Sequence, residues 1–213
     1  MKKLFTAAGL SLAASPALAH HPLGGLPMET FTHGLASGVG HPLLGFDHMF
    51  FVLAMGIAAV FTGRKLLTPA AYIGAMLIGT ALMYAGIAMP IAETVIVLSL
   101  IVLGGIILSG KALGTTAAIV IFATFGLFHG SAFGGTIAGQ EGGVGGAVLL
   151  GYLIGLGVIQ YLMAIAAGWI VTKLGATDAT AINARLGGAM VAGVGIFLAL
   201  EIVEGPLVAL LAA

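Results

Sequence analysis

Six apolar runs, near residues 42–62, 69–89, 91–109, 113–134, 144–172 and 186–210, leave this chain few ways to fold. Each is about as long as the roughly 20 residues a helix needs to cross a hydrocarbon core of about 30 Å. Inside such a core every backbone N–H and C=O must be satisfied within its own segment, so the runs are expected to be helices. With 60% hydrophobic and only 7% charged residues, the chain is far from soluble proteins, in which about a quarter of residues are charged. The expected fold class is an all-α integral membrane protein: six transmembrane helices in a Gly-rich bundle after a cleaved signal peptide. The fifth run exceeds one span, which predicts a tilted or extended helix.

The N-terminus supplies the compartment. Lys2 and Lys3 precede a short apolar stretch at residues 4–14, and Ala17-Leu18-Ala19 forms an A-x-A cleavage site, so residues 1–19 read as a signal peptide and the mature chain begins at His20. An uncleaved first helix is the alternative, disfavoured because the apolar stretch is too short to span. Residues 20–41 form an external N-terminal lead-in, rich in Gly and Pro, with a short helix expected around residues 28–37. Residues 42–213 form the transmembrane domain. The five basic residues of the mature chain, Arg64, Lys65, Lys111, Lys173 and Arg185, all fall in loops on one side of a six-span topology. Positive charge marks the cytoplasmic side, so the mature N-terminus is periplasmic and the membrane a bacterial inner membrane. The acids Glu29, Asp47, Glu93, Glu141, Glu201 and Glu204 fall on the opposite side or in the outer half of a span; Asp178 is the one acid on the basic side.

Formal net charge is zero, with no basic patch of the kind nucleic acid requires. The absence of Cys excludes disulfides, thiolate metal sites and Cys nucleophiles. No G-x-x-x-x-G-K-[ST] phosphate loop is present, so this chain does not use ATP directly. Glycine is abundant, at 35 residues, and small residues recur four apart at Gly130/Gly134, Gly151/Gly155 and Ala189/Gly193, a spacing that lets membrane helices pack closely. Monomer and homo-oligomer both remain open.

Polar groups in the outer layer stand out against this background, because ionisable groups in lipid are costly to retain. The stretch His41-Pro42-Leu43-Leu44-Gly45-Phe46-Asp47-His48-Met49 places two imidazoles and a carboxylate at the start of the first span. Pro42 suits a first helical position, with His41 at the cap, and His41 and His48, seven apart, fall on nearly one helix face. In the fourth run, Phe128-His129-Gly130-Ser131-Ala132-Phe133-Gly134 carries another imidazole. At 1.5 Å per residue, His48 lies about 9 Å below the start of its span and His129 roughly 27 Å above Lys111. By the same count Glu93 lies about 5 Å below Pro90 and Glu201 roughly 24 Å above Arg185, so four helices contribute to one layer. Imidazole nitrogen and carboxylate oxygen without thiolate suit Ni²⁺, Co²⁺ or Zn²⁺. The candidate metal ligands are His41, Asp47, His48 and His129, with Glu93, Glu201, His33, His20 and His21 as further possibilities. The alternatives are a structural cap and an Asp-His hydrogen bond, a hydrogen-bonded core His129, and solvated ends for His20, His21 and His33. Met49 and Met55 read as packing residues, Trp169 and the tyrosines as packing or interfacial anchors.

Both stretches resemble the HupE/UreJ family of small nickel/cobalt permeases. Its first-span signature, His, five residues, then Asp-His, is met by His41, Asp47 and His48; its fourth-span signature Phe-His-Gly-x-Ala/Val-x-Gly is met by Phe128, His129, Gly130, Ala132 and Gly134. The acid that follows in the signature is absent, position 135 being Gly; Glu141 lies just beyond. The resemblance covers essentially the whole mature chain and implies uptake of nickel, or cobalt in some members, as the transported ion, with no prosthetic group. Two other classes stay open: a membrane-embedded metal hydrolase, for which Ser131 lies close by, and a non-transporting accessory protein for metalloenzyme maturation.

Overall fold

The computed structural model describes residues 27–140 and 143–211, and within them the chain forms seven α-helices and no strand. Helices α1 (Phe31–Leu44) and α2 (Phe46–Val60) are separated by Gly45 alone; α3 (Leu67–Tyr84), α4 (Ala92–Leu108), α5 (Thr115–Ala138), α6 (Gly146–Lys173) and α7 (Ile182–Leu211) follow. Four of these, α3, α5, α6 and α7, are long and apolar enough to cross a membrane. A fifth candidate is α1 with α2, bent by 79°, and α4 is a shorter apolar helix of 17 residues. Outward faces are apolar as well: Leu162, Trp169, Leu186, Phe197 and Leu200 are each more than half exposed, as befits helices surrounded by lipid. The chain is a multi-pass helical membrane protein. The expected signal peptide and cleavage site, together with His20, His21 and Glu141, lie outside the described residues.

The first span departs from the sequence expectation. A helix beginning at residue 42, capped by His41, is replaced by two helices. Thr30 caps α1, its hydroxyl accepting the His33 N–H at 3.1 Å, and His41 and Pro42 lie buried in the last turn of α1. The lead-in is thus helical beyond the short segment expected. Its glycines disfavour an isolated helix, and packing against α6 overrides them. A Cβ on Gly34 would sit 2.1 Å from the Val148 carbonyl oxygen, and one on Gly38 2.2 Å from that of Tyr152. From the other side, Gly151 and Gly155 face the carbonyl oxygens of Phe31 and Leu35 at 2.2 and 2.5 Å by the same measure.

The same device joins the other helices. Gly130 of α5 meets the Met76 carbonyl of α3, and Gly79 of α3 meets that of Leu127. Gly134 lies against Thr80 and Met83, while Gly56 of α2 abuts Ala164 of α6. On α7 the expected pair is corrected: Gly193 is exposed with nothing within 4 Å of a Cβ, and it is Gly188, Ala192 and Gly195 that approach Gly104, Ile101 and Leu108 of α4. At about 100° per residue Gly188, Ala192 and Gly195 share one face, and Gly193 lies about 100° round from Ala192, off that face.

The chain alternates direction from α2 onward, so the α2–α3, α4–α5 and α6–α7 connections share one end. Thr115 donates to the Thr62 carbonyl at 2.7 Å and Arg185 Nε to that of Leu108 at 2.9 Å. Gly63 and Gly175, with φ of 76° and 93°, make left-handed turns there that an L side chain would strain. Arg64, Lys65, Lys111, Lys173 and Arg185 all belong to this end. At the other, Tyr84 donates to the Val144 carbonyl at 2.7 Å and the Met28 N–H to Gln140 Oε1 at 3.2 Å.

If backbone contact through glycine holds the bundle, Gly38→Leu and Gly130→Leu will each lower stability by roughly 1–3 kcal/mol or more through overpacking. Gly193→Leu, with open space around it, will leave it unchanged. Thermal unfolding of the detergent-solubilised protein, followed by size-exclusion profile, measures the difference.

Candidate metal centre

The polar cluster is built around the break at Gly45. The Gly45 N–H still bonds the His41 carbonyl at 2.9 Å and the Met49 N–H bonds Gly45 at 2.9 Å, so the chain turns within a single residue. With φ of −83° Gly45 is not in a left-handed conformation. What excludes a side chain is space: a Cβ would meet His48 Cδ2 at 2.9 Å and Asp47 Oδ1 at 3.3 Å. Asp47 lies in the first turn of α2, where the helix dipole favours an anion, and its Oδ1 accepts the His48 N–H at 2.8 Å. Irregular backbone at membrane depth is tolerated where it is covered by protein or lines a cavity, and Gly45 lines one.

That cavity, of about 240 Å³, is bounded by His41, Gly45, Asp47, His48, Glu93, Ala132 and Thr136. Adjoining it through Asp47 and Glu93 is a second of about 380 Å³ that adds Val97, Leu198, Glu201 and Ile202. His41 and His48 therefore do meet, but across a bend instead of along one helix face, with ring centroids 5.8 Å apart. Phe133 separates them from the core, stacking at 4.1 Å on His48 and edge-on at 5.0 Å to His41. His129, fully buried, reaches across from α5: its Nδ1 is 2.8 Å from His48 Nδ1.

Proton positions follow from the hydroxyls. Ser99 of α4 gives its single proton to the Ile96 carbonyl at 2.6 Å, so its oxygen accepts from His129 Nε2 at 3.1 Å. A neutral His129 then bears its lone pair on Nδ1, and His48 Nδ1–H donates to it. The lone pair of His48 lies on Nε2, which is 3.9 Å from Asp47 Oδ2. Similarly, Tyr152 gives its proton to the Phe133 carbonyl at 3.0 Å and accepts from His41 Nδ1 at 3.1 Å, while Thr136 Oγ1 lies 3.2 Å from the same nitrogen. His41 is thereby left with its lone pair on Nε2. Outer-shell partners of this kind set the tautomer and orientation of ligating imidazoles. Among the described residues no buried side-chain nitrogen or oxygen lacks a hydrogen-bond partner.

The structure thus brings together His41, Asp47, His48, His129 and Glu93, and sets Glu201 in the neighbouring cavity. His33 is not part of either cavity; its Nδ1 accepts the Glu29 N–H at 3.3 Å at the start of α1. Among the described residues no three His, Asp or Glu side chains form a preassembled metal shell. Ser131 is occupied elsewhere, accepting the Met89 N–H at 3.0 Å. Gly135 has open space beside it and Thr136 stands at the cavity wall. Ser99, Thr136 and Tyr152 were not foreseen, although each interrupts an apolar run and so carried a signal; the turn at Gly45 left none beyond the glycine itself.

A bent pair of apolar helices with histidines and a carboxylate lining the bend defines the class: a helical membrane protein with a buried polar site at one end of the bundle. Its family can be stated. The model of the HupE / UreJ protein family matches residues 8–198, and the chain belongs to that family. It is 30% identical over 157 residues to Protein HupE of Rhizobium leguminosarum bv. viciae, covering 70% of this chain and 80% of that protein. No solved structure matches.

In ring-¹⁵N-labelled protein, His129 is expected to be protonated on Nε2 and His41 on Nδ1. Ser99→Ala will abolish the preference at His129 and leave that at His41, and Tyr152→Phe the reverse. Nitrogen shifts showing Nδ1-protonated His129 in the wild type would contradict the hydrogen-bond assignment.

Proposed function

We propose that this protein is a permease for uptake of a divalent transition metal, Ni²⁺ first and Co²⁺ next, across the bacterial inner membrane. The reading takes six spans, α1 and α2 forming the first, a cleaved signal peptide at residues 1–19 and a periplasmic mature N-terminus. It is a transporter and not an enzyme. The observation that carries it is the placement of the signature residues His41, Asp47, His48 and His129 around one break in a membrane helix.

Glu201, Glu93 and Asp47 line the approach through the two joined cavities, and carboxylates along a low-dielectric cleft raise the local cation concentration. Asp47 and the Nε2 lone pair of His48 give an arriving ion two donors, with His41 across the cavity and water completing the shell. His48 turns its other nitrogen toward His129, so one ring faces two positions. The 2.8 Å separation of the two Nδ1 atoms holds a proton; a metal held by both at about 2.0–2.1 Å in tetrahedral geometry needs roughly 3.4 Å. Passing inward therefore requires the proton on His48 to move to Nε2, toward Asp47, and the rings to part. Inward movement of a dication gains roughly 4.6 kcal/mol per 100 mV, twice the value for one charge.

Labelled nickel uptake into cells carrying Asp47→Ala, His48→Ala or His129→Ala will fall at least tenfold at matched expression, whereas His33→Ala will transport normally. Cobalt will compete more effectively than zinc or copper. Unchanged uptake in all three variants would remove the site from the transport path.

A further inference from the structure

A separate cavity lies at the basic end of the bundle, away from the histidines. It has a volume of about 240 Å³ and is bounded by Gly56 and Val60 of α2, Lys65 and Leu66 of the following turn, and Ala164, Ile165, Gly168, Trp169 and Thr172 of α6. It lies beside the contact of α2 with α6, where Gly56 abuts Ala164 and Gly168 abuts Gly56 and Val60. Along α6 the lining from Ala164 to Thr172 extends roughly 12 Å. The upper part is apolar; charge appears only at the mouth.

One lysine lines the cavity and a second stands on the ring of a lining residue. Lys65 lines it directly, and Lys173 Nζ stands 5.8 Å over the ring of Trp169, which is itself 63% exposed. No described Lys or Arg makes a salt bridge with a carboxylate. Asp178, the one acid of this end, is turned to its own loop: Thr180 donates to Oδ1 through its N–H at 2.8 Å and also through its hydroxyl. Those bonds hold the Asp178 carboxyl below its usual range, so it stays an anion committed to the turn. Two lysines thus face outward with no protein anion, beside an indole of the kind that sits at the headgroup level of a bilayer.

We propose that this cavity is a binding site for an anionic glycerophospholipid, one acyl chain lying between α2 and α6 and the phosphate held by Lys65 and Lys173. Charge complementarity selects the occupant. A second apolar groove, between α3 and α6 and lined by Ala70, Ile73, Leu77, Leu150, Leu153, Ile154, Gly157, Val158 and Tyr161, carries no cation, and it discriminates no headgroup. Basic pockets between membrane helices on the cytoplasmic side hold anionic headgroups by the same electrostatics. The occupied site wedges α2 against α6 and so bears on the helix that carries Asp47 and His48. Binding itself does not depend on what the bundle transports.

Native mass spectrometry of the detergent-purified full-length protein, titrated with phosphatidylglycerol or phosphatidylcholine of identical chains, tests the site. Phosphatidylglycerol is expected to be retained on the order of tenfold more strongly. The Lys65→Gln, Lys173→Gln double variant will bring the ratio close to one, and Lys111→Gln will leave it unchanged. Equal retention of the two lipids by the wild type, which needs no variant to fold, would overturn the proposal. So would a double variant that keeps the preference, or displacement of phosphatidylglycerol by millimolar inorganic phosphate, which would mark a simple anion site.

Discussion

Backbone-to-backbone contact through glycine is the constraint on which the rest of this molecule depends. Lipid tails are as apolar as leucine, so helices gain little by hiding hydrophobic surface from them and associate through close packing instead. Here α1 on α6, α3 on α5 and α4 on α7 are each brought together where a glycine faces a main-chain oxygen or nitrogen of the partner. Such contacts allow no rotation about the helix axis, because a neighbouring residue with a Cβ cannot take the glycine's place. They therefore aim side chains. Gly126, Gly130 and Gly134 turn one face of α5 to α3, and His129, about 100° round from Gly130, is directed toward α2. Gly151 and Gly155 do the same on α6, carrying Tyr152 to His41.

What those directions create is a short series of hydrogen bonds in which each proton has one place to go. The Ile96 carbonyl takes the Ser99 proton, Ser99 takes that of His129 Nε2, and His129 Nδ1 takes that of His48. In a buried setting a polar group left without a partner costs about 1–3 kcal/mol, so the order of donors resists change. The end of the series at His48 is different. Its ring lines a cavity, with Nε2 3.9 Å from the Asp47 carboxylate, and on the proposed reading it is the ring whose proton changes sides. Site chemistry and fold stability meet at this residue.

Much of this was legible beforehand for a physical reason. Apolar runs, one-sided basic loops and a layer of costly polar groups are consequences of the bilayer, and each leaves a direct mark in composition. The signature residues His41, Asp47, His48 and His129 could be placed in one layer by counting rise alone. The bend at Gly45 could not, since a glycine amid Leu43, Leu44 and Phe46 reads equally as a small residue in a continuous helix. The break is accompanied by Asp47 taking the His48 N–H and by α6 gripping α1 through Gly34 and Gly38, and the second set of contacts is made with residues more than a hundred positions away. The helical lead-in was underestimated for the same reason. Gly193 was misjudged because a spacing of four is also met on faces that touch nothing.

The arrangement below His129 bears on how the proposed transport proceeds. The next polar groups are Tyr72, whose hydroxyl donates to Gln160 Oε1 at 2.9 Å, and Met76, whose sulfur lies 3.8 Å from Gln160 Nε2. All three are fully buried, as are Phe51, Met55 and Phe122 around them. A dication leaving the imidazoles would pass from carboxylate and imidazole donors to neutral hydroxyl, amide and thioether, which retain it less well. On the proposed reading, retention is therefore concentrated at the outer layer and release is favoured inward. Helices α1 and α2 meet at the bend at Gly45 and are joined to α6 along two separate glycine contacts. On the proposed reading, movement about that break exchanges access to His48 between the outer cavity and the interior.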